Sequence, residues 1–248
     1  NKTMTVKRIA KEIDITWEMR NFNKKPEVGR ALLSLNNYCP QRMDLDLTHR
    51  LTFCSSTSYT DMDGDSVAVT GGDSLAILSA SHTLAFSSTT WRNRVANDPA
   101  FSAAALEAAE ALFNTDILSN FAERRVITPN TIISGDDPNT VNNIQKQLKS
   151  TADVDQNNSG VVNVYKTKYN HLILPYLATT ATGAIDSTKK RWWFLARIGM
   201  DGLQGYFGVW ESPNLKTPSA GNNGEDIHND NWTYGVRASY GICIVSAK

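Results

Sequence analysis

The residues able to do chemistry are few and scattered. Four histidines (His49, His82, His171 and His228) lie far apart, and no two share the helical spacing that lets a pair of imidazoles grip one metal ion. Asp61, Asp63 and Asp65 alternate as the first ligands of a calcium loop do. Glycine, however, stands at the fourth place of that loop rather than the sixth, and Gly72 holds the twelfth, where a bidentate glutamate is required. This composition predicts a turn. Cys39, Cys54 and Cys243 are odd in number, widely spaced and without a CxxC pair, which predicts buried or half-buried thiols in a reducing compartment. Glycine-rich phosphate cradles of the GxxxxGK[ST] or GxGxxG type do not occur. Trp192, Trp193 and Phe194 could stack nucleic-acid bases, but a run this apolar predicts core packing. The basic residues Arg124, Arg125, Lys146 and Lys149 are few and interspersed with polar groups.

Composition narrows the function classes further. A chain of 248 residues can bury one large core or two modest ones. Lys+Arg and Asp+Glu are equal at 25 each, so no global field draws the protein to nucleic acid or to acidic lipid. No apolar run approaches the roughly 20 residues that span a bilayer, and no signal peptide opens the sequence. The chain begins at Asn1 rather than Met, as a trimmed or partial sequence would.

These side chains must be positioned by an α+β arrangement. Its centre is the stretch 101–177: an alanine-rich helix over 101–113, a strand over 125–134, a helix over 139–150 and a strand over 161–177. Asp137-Pro138-Asn139-Thr140 announces the second helix, with proline at a position that needs no N–H and polar neighbours able to cap the free donors. Val141, Ile144 and Leu148 then mark its apolar face. In the first helix Ala104, Leu106, Ala109, Leu112 and Phe113 share a face. Alternation in 3–21, strict from Ile13 to Met19, predicts a half-exposed strand. Residues 26–54 read as two helices, or one kinked at Pro40. Strand-like pieces follow at 66–69 and 75–78, with a polar connector at 91–98. Residues 178–190 form a loop, 191–198 a strand buried on both faces, 205–210 a strand, 211–231 a long surface loop and 232–245 the closing strand.

Gly72-Asp73-Ser74-Leu75, after the apolar run Val67-Ala68-Val69, resembles the nucleophile block of GDSL-type esterases. In that family a late histidine with an aspartate three residues before it completes the triad. The resemblance would make Ser74 the nucleophile, His228 the base and Glu225 the group orienting it, with glutamate where the family has aspartate. The family sets its block near the start of a parallel α/β domain, and no Gly and Asn oxyanion blocks follow here.

The order of elements over nearly the whole chain resembles the major capsid protein of tailed bacteriophages, the Hong Kong 97-type shell fold. Residues 3–21 are similar to the return strand of its extended loop, and 26–54 to its spine helix. The run from Gly71 to His82 is similar to the "Asp-Gly-x-x-Leu-Phe-Ser-x-x-His" segment that follows the spine helix in one branch. Residues 101–113, 127–134 and 138–150 follow that branch's "Pro-x-x-Leu-x-Val" strand and capping helix. Residues 161–177, 191–196 and 232–245 match an axial strand, an aromatic "Trp-Phe-Leu" strand and a closing strand. Pro40 interrupts the spine helix, and the N-terminal arm and outgoing loop strand have no counterpart; a proteolytic trim or an incomplete sequence would each account for that.

The resemblance implies an α+β capsid fold divided into 1–25 (extended loop), 26–99 (peripheral domain with spine helix), 100–190 (axial domain) and 191–248 (return and closing strands). It implies a structural subunit of an icosahedral head, not an enzyme, with no catalytic residue, no metal and no cofactor. Its partners would be its own copies in pentamers and hexamers, scaffold, portal or decoration proteins, and double-stranded DNA held without sequence preference, with no membrane. It would belong to the virion and assemble in the host cytoplasm. A bacterial nanocompartment shell of the same fold is the neighbouring possibility, and the Gly71 to His82 run favours the phage branch.

Overall fold

The computed structural model describes residues 4–22, 25–152, 161–199, 202, 204–217 and 232–246. Its strands are β1 (Val6–Ile15), β2 (Ser58–Thr60), β3 (Ser66–Ala68), β4 (His82–Leu84), β5 (Ser87–Trp91), β6 (Thr131–Ser134), β7 (Asn170–Ile173), β8 (Trp193–Ala196), β9 (Gln204–Lys216) and β10 (Trp232–Ser246). Its helices are α1 (Trp17–Asn21), α2 (Lys25–Thr52), α3 (Ala103–Thr115) and α4 (Pro138–Lys149). The chain forms two compact units, one within 3–46 and 206–243, the other within 47–205 and from 244 onward. No helix among the described residues is long and apolar enough to cross a membrane.

The first unit is a sheet of order β1-β10-β9. β1 pairs antiparallel with β10 along its whole length, from Val6↔Gly241 to Ile15↔Trp232. Alternation then sorts the faces: Ile9 packs with Val236, Ala238, Tyr240 and Ile242 against Leu35 and Cys39 of α2, while Arg8, Ala10, Glu12 and Asp14 are exposed. The strand expected over 3–21 stops at Ile15. Thr16 accepts a hydrogen bond from the Met19 N–H at 3.4 Å, so the chain turns into α1 and Trp17 and Met19 become helical. β9 continues past the expected boundary to Lys216, carrying Pro213; as an edge strand it can hold a residue that donates no ladder bond. The rest of the expected surface loop, 218–231, lies outside the described residues.

Of the two readings of 26–54, the single helix is observed, with Pro40 inside it. Pro40 and Asn36 are both exposed, so the Asn36 carbonyl that loses its helical donor lies on the solvent side.

In the second unit β6 is the middle strand of a sheet of order β7-β6-β8, parallel to β7 and antiparallel to β8. All four of its residues are buried. β6, α4 and β7 make a parallel crossover. Ile132 packs with Leu106 of α3 and with Ile144 and Leu148 of α4. The cap on α4 is Asp137, which accepts from the Thr140 N–H at 3.1 Å, with Pro138 at the first helical position. α3 starts at Ser102, which accepts from Ala105 N–H at 3.1 Å; Ala105 rather than Ala104 joins the buried face. Three expectations are corrected here. Residues 75–78 form no strand, only an isolated Thr70↔Ala76 bridge, because a side-chain-bonded turn precedes them. Strand 161–177 shrinks to β7, after turns in which Thr167 takes a φ of 58°. β8 is half-buried along its length rather than buried on both faces, because it lies at the edge of its sheet.

Candidate functional site

Ser74 sits in a closed turn rather than on a strand-to-helix elbow. The Gly71 N–H donates to the Leu75 carbonyl at 2.8 Å, and Ser74 is held at a φ of 64°. Asp73 fastens the turn, accepting from the Leu75 N–H at 3.2 Å through Oδ1 and from His82 Nδ1 at 2.7 Å through Oδ2. Asn93 is oriented by donating to the Ile77 carbonyl at 2.8 Å and accepting from the Ser79 N–H at 2.9 Å, so its Oδ1 is what meets His82 Nε2 at 3.1 Å. Both ring nitrogens of His82 are thus taken up by oxygens, and the ring stacks on Trp91 at 4.3 Å. Burial alone would raise the Asp73 carboxyl, but the hydrogen bonds from His82 and Leu75 outweigh it and hold the group below its usual value. The histidine brought to this block is thus a strut, with no nitrogen left to serve Ser74 as base. Glu225 and His228 lie outside the described residues.

The other candidates are structural as well. Asp61 Oδ1 accepts from the N–H groups of Asp63 (2.9 Å) and Asp65 (3.0 Å), closing the turn between β2 and β3 with Gly64 at a φ of 86°. No group of acidic, histidine and cysteine residues among those described could hold a metal ion. Cys39, Cys54 and Cys243 are all buried, and burial pushes the Cys54 thiol up to about 12, away from the thiolate that metals and electrophiles need. His171 on β7 receives the Gln145 amide N–H at Nδ1 (3.0 Å) and donates from Nε2 to Ser134 Oγ (2.9 Å), whose hydroxyl passes on to the Gly135 carbonyl. Burial lowers its pKa, favouring this neutral form.

What the described surface offers instead is apolar contact area. Along β9, Tyr206, Phe207 and Val209 are exposed and Trp210 is 82% exposed. β9 and β1 are also the two outer strands of their sheet, so one edge of each lacks a strand partner within this sheet. In the larger unit Phe86 and Phe121 are 70% and 68% exposed and stack on each other at 5.1 Å, their loops tied by the Phe86 N–H to the Asn120 carbonyl. Sequence reasoning missed this pair, since two isolated aromatics in separate loops carry no periodic signal.

Open sheet edges and exposed aromatic residues are thus the features the described surface presents. The chain belongs to a phage capsid family: the family model described as "Phage capsid protein" matches residues 1–247. It is a structural protein of a bacteriophage and not an enzyme, a virion component of a homo-oligomeric shell, with an α+β capsid fold. Among solved structures it is similar to a chain of Mycobacterium phage Ogopogo, with a TM-score of 0.47 and 12% identity over 98% of this chain and 73% of that one. It is likewise similar to a chain of Mycobacterium phage Adephagia, with a TM-score of 0.43 and 13% identity over 99% and 73% of the two chains. No curated protein sequence matches it significantly.

Proposed function

We propose that this chain is the major capsid subunit of a Hong Kong 97-type head, assembling into pentamers and hexamers around double-stranded DNA in the host cytoplasm. On this reading α2 is the spine helix and residues 1–25 belong to the extended loop. Residues 26–99 form the peripheral domain, 100–190 the axial domain that meets its copies at the capsomer centre, and 191–248 the return. The β6-α4-β7 crossover is the α/β body of that axial domain. Scaffold, portal or decoration proteins and sequence-nonspecific DNA are its further partners.

The observation that carries the reading is the open-edged sheet with its exposed aromatic strand. In a lone soluble subunit a 13-residue edge bearing Tyr206, Phe207 and Trp210 invites uncontrolled pairing. In a closed shell the same edge and rings are covered by neighbouring copies, and symmetry repeats each such contact around the particle. The zero net charge lets copies pack densely without strong self-repulsion. Negative-stain microscopy of purified protein should show closed particles or capsomers. Trp210→Glu should lose them while the folded subunit remains by circular dichroism. Monodisperse monomers from the parent at every salt and concentration tried would refute the proposal.

A further inference from the structure

The larger unit does not have one core. Cys54 and Ile77 anchor a cluster with Phe194 packed against it; Ile132 and Ile144 anchor a second with Trp193 and Leu195; Ile117 and Ile127 anchor a third with Phe113. Protein interiors are close-packed, and voids much larger than a water molecule are few. Here a cavity of about 210 Å³, partly open to solvent, lies where residues of these clusters come together without merging. Its wall takes Cys54, Ile77 and Phe194 from the first cluster, Trp193 and Leu195 from the second, and Phe113 and Ile117 from the third. β6 contributes to both sides of this arrangement: Ile132 faces the second core, and Ile133, its neighbour on the opposite face, lines the cavity.

Several polar groups in the wall are already engaged. Asn93 has its amide on the Ile77 carbonyl and its oxygen on Ser79 and His82. Arg94 is paired with Asp98 through Nε at 2.8 Å, and Trp193 Nε1–H donates to the Pro99 carbonyl at 3.0 Å. Apolar cavities of about 150 Å³ in other proteins take up benzene, and most of the surface of this wall is apolar. We infer that this cavity is a binding site for a small uncharged aromatic or short-alkyl molecule, which would bridge the three cores and stabilise the unit that holds them. Two further wall residues, Arg191 and Arg197, make an organic anion the competing ligand, and the experiment separates the two.

Thermal unfolding of the full chain is followed with toluene and, in parallel, with benzoate. Toluene well above its Kd should raise Tm by about 2–4 °C, because a ligand bound only by the folded state adds stability by mass action. Ala109 of α3 is buried and lines the cavity, so Ala109→Met should fill part of it and abolish the toluene shift. Should that variant fail to fold, iodobenzene offers a second readout: it should quench tryptophan fluorescence saturably in the parent and less in Trp192→Phe, since Trp192 is in the wall. Absence of both a Tm shift and saturable quenching overturns the inference. So does an undiminished toluene shift in Ala109→Met, or a larger shift with benzoate than with toluene.

Discussion

Helix α4 buries Ile144 and Leu148 beside the uncharged Thr140 and Gln147 and turns Asn142, Asn143 and Lys146 to water, with its first turn closed by its own neighbour Asp137. Helix α2 is 28 residues long against 12, yet its buried face carries Arg42, Asp46, Thr48, His49 and Thr52 beside Leu35, Cys39 and Leu45. Leu47, meanwhile, is 47% exposed. The polar side chains of α2 are held by one another and by partners far away in the chain. Asp46 accepts from Arg42 Nε at 3.0 Å and from the Tyr240 hydroxyl; burial first, and then this Asp46 carboxylate, pushes the Tyr240 hydroxyl pKa up. His49 Nε2 donates to Thr179 Oγ1 at 2.9 Å, and Thr52 Oγ1 donates to the Leu177 carbonyl at 3.1 Å. A helix can thus be specified by a local stripe and cap, or by distant groups that satisfy buried polar atoms. The second kind is the more exposed to single changes, because an abandoned buried charge costs more than a lost methyl group.

That contrast can be broken in a definite order. Asp46→Ala should be the most severe change, about 3–5 kcal/mol in urea unfolding, since it removes the buried carboxylate that Arg42 Nε and the Tyr240 hydroxyl both use. The double replacement Arg42→Met with Asp46→Leu should recover most of that loss; a single mutant costing under about 1 kcal/mol would show the pair to be hydrated. Ile144→Ala in α4 should cost about 3 kcal/mol, the transfer and cavity cost of a fully buried aliphatic side chain. Thr52→Val, which abandons the Leu177 carbonyl, and Asp137→Ala, which removes the α4 cap, should each cost about 1 kcal/mol. If Asp137→Ala were as damaging as Asp46→Ala, the division into local and distant control would fail.

The smallest effect is a slope with pH. His171 has its pKa lowered by burial from the ordinary 6.5, so below that value the unfolded chain takes up a proton the fold resists. Its share of stability is complete above about pH 6.5 and is lost as pH falls through the lowered value. His171→Asn should flatten the stability–pH curve in that range. A second acid decline belongs to Asp73, Asp98, Asp116, Asp137 and Asp186, all held below 3.8 by hydrogen bonds or ion pairs, and it should persist in the variant.

The parts of the fold whose causes lie within a few residues are written in the local pattern. Pro138 and the Asp137 cap, the 3.6-residue stripe of α4, the small-residue face of α3, the turn character of Asp61 to Asp65 and the alternation of β1 are all legible there, as was the capsid-like order of elements. The strand expected over 125–134 is cut to Thr131–Ser134 and the one over 3–21 to Val6–Ile15, so the local pattern overstated both. Tertiary structure alone decided that α2 runs through Pro40 and that its polar residues point inward. It also decided that His82 joins Asp73 to Asn93, that Phe86 meets Phe121, and that three cores leave a cavity between them. Those outcomes rest on contacts between residues up to 194 positions apart, as in Asp46 and Tyr240. A local pattern cannot encode a hydrogen-bond partner or a packing gap that exists only once distant segments are brought together.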